Sequence, residues 1–176
     1  MPGRVTIGLY NSYDPVRFHE SHRRALARAG PLALAFDCNL ATFGFPFDRE
    51  LLTPAEIAEW VSTTTSIGEG GRYLVELTQK GRYSRFDFPR KGFPPQLGVP
   101  VITTSKPDAG KSTSVKALRE MVQAGRSVLL IFGLGPHGLP KDVMGVGELH
   151  FDVTGRGMSL ETCTALGSVV GALMGR

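Results

Sequence analysis

The chain has 176 residues, 41% of them hydrophobic and 20% charged, enough for one compact domain with a proper core and unlike a disordered chain. Its formal net charge of +4 comes from the second half: residues 1–89 carry ten basic and ten acidic side chains, and residues 90–176 carry ten and six. That surplus suits a polyanionic partner such as RNA without requiring one. Cys38 and Cys163 lie far apart, fit no metal spacing and point to no disulfide framework, so a reducing, cytoplasmic setting is expected. Met1–Leu9 lacks the apolar core of a signal peptide. The most apolar runs, Ser127–Gly135 and Ala165–Met174, fall short of the ~20 residues that span a bilayer, so a soluble protein with no membrane partner is expected.

In chain order, Val5–Tyr10 predicts a strand, Pro15–Ala29 a helix and Leu32–Cys38 a second strand. Thr53-Pro54-Ala55-Glu56 announces a helix with a Thr N-cap, Pro in the first turn and Glu56 completing a capping box; it runs to about Thr65. Gly70–Gln79 predicts a short helix ended by Gly81, and Tyr83–Phe88 a strand. After the Pro/Gly-rich Pro89–Pro95 come a strand at Val99–Thr104, a helix at Ser114–Gln123 and a strongly buried strand at Ser127–Phe132. Leu149–Val153 is the last strand and Ser159–Met174 the closing helix. Alternating strands and helices predict an α/β fold, a mainly parallel sheet flanked by helices on both faces. No repeat or linker interrupts it, so residues 1–176 are expected to form a single domain.

In such sheets ligands gather at the carboxyl ends of the strands, where strand order reverses. The last three strands lead into Thr103-Thr104-Ser105, into Gly133-Leu134-Gly135-Pro136-His137-Gly138-Leu139-Pro140, and into Thr154-Gly155-Arg156-Gly157-Met158-Ser159-Leu160. All three are small, hydroxyl-bearing or Gly-rich, and glycine lets main-chain N–H and C=O groups approach a ligand with no Cβ in the way. The pattern suits a pocket lined by backbone, such as one that holds an adenine ring.

These segments, in this order, resemble the three cofactor motifs of the SPOUT superfamily of methyltransferases. Val101-Ile102-Thr103-Thr104-Ser105 matches the first. Leu129-Leu130-Ile131-Phe132-Gly133 through Gly138-Leu139-Pro140 matches the second. Phe151-Asp152-Val153 through Ser159-Leu160, where a Ser-Leu opens the last helix, matches the third. The wider pattern includes Tyr10-Asn11-Ser12-Tyr13-Asp14, Gly68-Glu69-Gly70-Gly71-Arg72-Tyr73 and Lys91-Gly92-Phe93-Pro94-Pro95-Gln96-Leu97-Gly98; it is similar to an archaeal family of that superfamily.

The resemblance implies S-adenosylmethionine as cofactor, RNA (tRNA or rRNA) as substrate, a homodimer and a C-terminal deep trefoil knot. It places the cofactor against Thr103, Thr104 and Ser105; against Phe132, Gly133, Leu134, Gly135, His137 and Gly138; and against Val153, Met158, Ser159 and Leu160. The chain departs from the ribose methyltransferases of the superfamily. Gly135-Pro136-His137 stands where those have an Asn-Glu pair, Ser159-Leu160-Glu161 replaces Ser-Leu-Asn, and their N-terminal arginine has no unambiguous match.

Methyl transfer from a sulfonium is an in-line displacement that needs aligned reactants and a proton acceptor, but no metal. Candidates for positioning or base work are Asp14, Arg17 and His19 after the first strand, Asp152 after the last, and Glu161. His22 shares a helical face with Phe18, Ala25 and Ala29 and is expected at the core edge; Arg17, Glu20, Arg24 and Arg28 form the solvated face, with Glu20–Arg24 at ion-pair spacing. Asp152 has a second reading as the cap of the Gly155–Gly157 turn. Gly167 and Gly171 suit either a dimer seam or intrachain packing. Between Lys80 and Lys91, five cations alternate with Tyr83, Phe86 and Phe88, a pattern for gripping phosphates and stacking bases, unless the aromatics are the buried face of a strand.

Two other functions remain open. The altered motif positions allow a knotted protein that binds cofactor or RNA without turnover. Ser105-Lys106-Pro107-Asp108-Ala109-Gly110-Lys111-Ser112-Thr113 resembles a phosphate-binding P-loop, although Ser105 replaces its first glycine and no apolar strand ends in a magnesium-holding Asp.

Overall fold

The apolar run that begins at Val128 offers no polar side chain to water, so it has to be paired at both edges and covered on both faces. In the computed structural model, which describes residues 1–64 and 68–176, it becomes an inner strand. The elements run β1 (Val5–Tyr10), α1 (Glu20–Ala35), β2 (Asn39–Phe43), α2 (Pro54–Thr64), α3 (Arg72–Gln79), β3 (Tyr83–Phe86), β4 (Val99–Thr103), α4 (Val115–Gln123), β5 (Val128–Gly133), α5 (Lys141–Val146), β6 (Leu149–Phe151) and α6 (Thr162–Met174). The sheet order is β3-β2-β1-β5-β4-β6, and every pairing is parallel.

Period-two alternation sends Val5, Ile7, Leu9, Leu40, Val101, Val128, Leu130 and Phe132 to one face. There they pack with buried residues of α1, α2, α3, α4 and α6. Tyr10, Ala41, Phe43, Ile102, Leu129 and Ile131 face the other way, against Val143 and Met144 of α5 and against Phe93 and Leu97 from the Pro-rich segment. Helices thus lie on both faces but unequally, since one short helix and an irregular segment serve for the second layer. Helix α5 has no counterpart in the sequence expectations. Among the described residues no helix is long and apolar enough to cross a membrane.

The second element differs most from expectation. Gly30-Pro31 marks a break in the sequence, yet α1 continues through Pro31 to Ala35, and the next strand is Asn39–Phe43 instead of Leu32–Cys38. Tertiary burial overrides local propensity here. Ala29 and Ala33 are fully buried on the same helix, and Gly30 lies so close to α3 that an added Cβ would sit 2.8 Å from Leu74 Cβ. The helix also starts later than expected, at Glu20, because Asp14 organises residues 14–17 into a turn with its carboxylate accepting from Val16 and Arg17 N–H. Glu20 pairs with Arg23, one residue short of the expected Arg24.

The capping box of α2 forms as read: Thr53 Oγ1 accepts from Glu56 N–H at 3.2 Å, and Glu56 Oε2 accepts from Thr53 N–H at 2.9 Å. The expected end near Thr65 lies outside the described residues. Helix α6 starts at Thr162 instead of Ser159, with the Glu161 carboxylate taking the Cys163 and Thr164 N–H groups at 2.9 and 3.2 Å. An acid at that end also suits the helix dipole.

Strand β6 is held on both edges. One edge pairs with β4. On the other, His150 N–H donates to Lys111 O at 2.8 Å and Thr113 N–H donates to His150 O at 2.9 Å, so the segment between β4 and α4 passes around the outside of β6. Lys111, the lysine of the P-loop-like sequence, donates Nζ to Gly145 O and Gly147 O at 3.0 and 2.8 Å. It therefore caps α5 instead of facing a phosphate.

The close approach at Gly30 is testable. Gly30→Val forces α1 and α3 apart and is expected to lower stability by about 1–3 kcal/mol in urea unfolding, as overpacked core substitutions do.

Candidate functional site

A cavity of about 150 Å³ opens beyond the carboxyl ends of β4, β5 and β6, beside the position where strand order turns back on itself. The three turns singled out in the sequence converge on it. Thr103, Thr104 and Ser105 line it from β4; Phe132, Gly133, Gly135 and Gly138 from β5; Val153, Met158, Ser159 and Leu160 from β6. Two expected lining residues do not. Leu134 turns into the core at 8% exposure, and His137 is exposed at the tip of its turn, outside the lining. The sequence missed Met144 on α5 and Ala165 and Val169 on α6, which complete the walls. Burial of the α6 face was legible in its apolar run; its position against this cavity was not.

Hydrogen bonds hold the turns to one another. Thr103 Oγ1 donates to Ile131 O at 2.7 Å, Thr104 N–H to Phe151 O at 3.0 Å, and Thr162 Oγ1 to Gly133 O at 2.9 Å. Asp152 sits in the lining but is engaged by its own turn: Oδ1 accepts from Thr154 N–H and Oγ1 at 3.0 and 2.7 Å, and Oδ2 accepts from Gly157 N–H at 2.8 Å. Burial opposes its ionisation, but these donors outweigh burial and hold the carboxyl below the usual carboxylate range. The turn they brace needs Gly157 at φ 69°, a left-handed conformation that favours glycine. Past it, the N–H groups of Ser159 and Leu160 find no acceptor among the described residues. The cavity thus combines apolar walls (Phe132, Leu139, Phe151, Val169) with main-chain polar edges.

The segment after β1 abuts this site without lining it. Ser12 Oγ accepts from both Leu134 N–H and Gly135 N–H, each at 3.0 Å. Next to it Asn11, His22, Asp14 and His19 form one network. Asn11 Nδ2 donates to Asp14 O at 2.7 Å and to Gly44 O at 2.9 Å, and its Oδ1 lies 2.8 Å from His22 Nε2. His22 Nδ1 accepts from His19 N–H at 3.0 Å, which leaves Nε2 as the protonated nitrogen facing Asn11 Oδ1. His19 Nε2 lies 2.8 Å from Asp14 Oδ2. The Arg17 N–H, the His19 ring and the Val16 N–H hold the Asp14 carboxyl well below the usual carboxylate range. Arg17 itself is exposed. The structure therefore brings Asp14 and His19 together and ties them, through Ser12, to the turn after β5; Asp152 lies apart in its own turn. Among the described residues no group of three or more His, Cys, Asp and Glu side chains is arranged to hold a metal.

His22 is fully buried, and desolvation first, then the neighbouring His19, lowers its pKa from 6.5 to about 4. Its unfolded form therefore takes a proton that the folded form refuses, and stability falls as pH drops from about 6.5 to about 4, by on the order of 3 kcal/mol. Thermal unfolding across that range is expected to show the loss in the native protein and to show it largely flattened in His22→Gln.

With this geometry, the chain compares with solved structures as follows. It is similar over 98% of its length to an AdoMet-bound rRNA methyltransferase from Sinorhizobium meliloti, with a TM-score of 0.53, 16% identity and 56% of that chain covered. It is similar over 99% of its length to TrmJ from Z. mobilis ZM4, with a TM-score of 0.61, 12% identity and 69% of that chain covered. Over 99% it also resembles the SpoU methyltransferase AviRb from Streptomyces viridochromogenes, with a TM-score of 0.57, 14% identity and 60% of that chain covered. The protein thus spans little more than half of two of these relatives. The likeness is one of fold, that of the SpoU- and TrmJ-type SPOUT methyltransferases. In sequence, the chain is 43% identical over 166 residues to MJ0224 of Methanocaldococcus jannaschii, covering 94% of this chain and 90% of that one. With that archaeal relative and a family match over residues 5–174, the chain belongs to the family described as "Protein of unknown function (DUF531)".

Proposed function

We propose that this protein is an S-adenosylmethionine-dependent methyltransferase acting on RNA, tRNA or rRNA, in the cytoplasm. One observation carries the reading: three separate turns, after β4, β5 and β6, meet around one cavity with apolar walls and main-chain edges. The chemistry of the lining suits an adenosyl group, since the purine needs flat apolar faces plus hydrogen bonds to its edge. Ser159 and Leu160 would offer N–H groups to it; Thr103–Ser105, Phe132–Gly138 and Val153 would enclose the rest, with Met158 over the mouth at 59% exposure. When bound, the cofactor supplies an electrophilic methyl group.

The chain's own residues would supply alignment and proton removal. His19 is the general base: its ring is 37% exposed and so reachable, and Asp14 beside it orients the ring and stabilises the charged imidazolium. Arg17, exposed and without an ion pair among the described residues, would bind a phosphate of the substrate. Asp152, engaged by its turn, shapes the cavity instead of moving a proton.

For RNA contact the Lys80–Lys91 stretch provides Phe88, Arg90 and Lys91. Other cations of that stretch are committed: Lys80 to Glu76, Arg82 to Asp37 and Cys38 O, and Arg85 to Leu51 O and the Phe47 ring. Tyr83 is buried in its strand, whereas Phe88, which leans on Tyr10, is 37% exposed.

A single knotted domain over residues 1–176 and a homodimer belong to the same reading. The passage of residues 111–113 outside β6 supports the knot. An added Cβ at Gly167 or Gly171 would meet nothing within 4 Å, which favours a seam for a second copy over packing within the chain.

Titration calorimetry is expected to detect S-adenosylmethionine and S-adenosylhomocysteine but not ATP. Ala165→Phe, which fills the cavity, is expected to abolish that heat with little change in melting temperature. Binding of ATP alone would refute the reading. Incubation of labelled cofactor with total archaeal RNA then separates an enzyme, which labels RNA, from a binder, which does not. Arg90→Ala and Lys91→Ala are each expected to weaken RNA binding and to reduce its salt slope by about one.

A further inference from the structure

The turn after β5 contains glycines whose position is set by a residue far away in sequence. A Cβ at Gly135 would lie 2.5 Å from the backbone O of Ser12, and one at Gly133 would lie 3.0 Å from Ser12 Oγ. These glycines thus do more than open the cavity: they let the segment after β1 come close enough for one hydroxyl to take two adjacent N–H groups, those of Leu134 and Gly135. A hydroxyl oxygen has two acceptor sites, and here both are used on one turn. Ser12 is flanked on one side by Asn11, which is locked to Gly44 O, Asp14 O and His22. On the other side is Tyr13, whose ring lies 5.0 Å from that of His19. The Leu134–Gly135 peptide is thus hydrogen-bonded to the segment that carries Asp14 and His19.

We propose that Ser12 is a positioning residue that couples occupancy of the cavity to the placement of the Asp14–His19 pair. With the cavity filled, the turn after β5 is fixed on its inner side; the Ser12 hydroxyl carries that constraint to residues 13–19, so that the proton acceptor is aligned only when the methyl donor is in place. This ligand half rests on the adenosyl reading of the cavity, whereas the grip of Ser12 on the turn does not.

The test uses the full chain, S-adenosylhomocysteine as the probe, and two variants that break the contact differently. Ser12→Ala removes the acceptor; Gly135→Ala keeps it but drives the Ser12 backbone away. In the native protein the His19 ring resonances are expected to move on addition of the probe. In both variants that response is expected to vanish, with binding about tenfold weaker in Ser12→Ala, a coupling of ordinary size between two linked sites. A purely structural contribution would lower the melting temperature but leave the His19 response intact, and that result overturns the inference. Without any ligand, amide hydrogen exchange at Leu134 and Gly135 is expected to speed up in Ser12→Ala; unchanged exchange overturns the grip itself. Failure of the native protein to bind either adenosyl compound, with exchange nonetheless faster in the variant, refutes the function proposed above and the ligand half of this inference together.

Discussion

Parallel pairing of β4 with both β5 and β6 is the constraint on which the site depends. Parallel strands point their carboxyl ends the same way, so the turns that follow them emerge at one edge of the sheet. With β4 between its two partners, those three turns become neighbours, although some fifty residues separate the first from the last. Short hydrogen bonds then fix their mutual distance: Thr103 to the strand next door, Thr162 to Gly133, and Thr104 to Phe151. Remove the parallel register and the small residues of each turn would be unrelated loops.

The two faces of the sheet are covered unequally. Among the described residues five helices cover one side, whereas the other has α5 and a Pro-rich segment. Phe86, Phe93 and Phe43 compensate by stacking and edge contacts, with ring centroids 5.3 and 5.1 Å from Phe43. Lys111 holds the end of α5 through two carbonyls, and His150, fully buried, ties Asp108 N–H and Met144 O to β6 at 3.0 and 2.9 Å. The sequence that looks like a phosphate loop is thus an anchor for the thin layer.

The segment after β1 differs from the three turns in what organises it. Its residues are polar and its order comes from side chains: Asn11 bonds to two carbonyls, Asp14 accepts from two N–H groups, and His22 is buried neutral beneath them. Such a network is costly when half made, and that cost is a physical reason for the segment to move as one unit. Its link to the turn after β5, through the Ser12 hydroxyl, is where this segment meets the rim of the cavity.

Several features were legible in the amino-acid order alone. Period and run length predicted β1 and β5 nearly to the residue, the Thr53–Glu56 capping box predicted the start of α2, and small residues after three strands predicted a main-chain-lined cavity. Other features lay beyond it. Local signals at Gly30-Pro31 argued for a break, and the burial of Ala29 and Ala33 with the close approach to Leu74 on α3 explains why the helix continues. Leu134 and His137 belong to the right turn, but which way each points depends on the core beneath Leu134 and on Ser12 Oγ. The Asp14–His19 pair is made within the segment after β1, whereas the Ser12 link to the turn after β5 follows from strands β1 and β5 being neighbours. Sequence determines which groups are available and how each stretch prefers to bend; the pairing of distant strands decides which groups of separate turns meet, because contact energies fall away within a few ångströms and local preference does not set such distances.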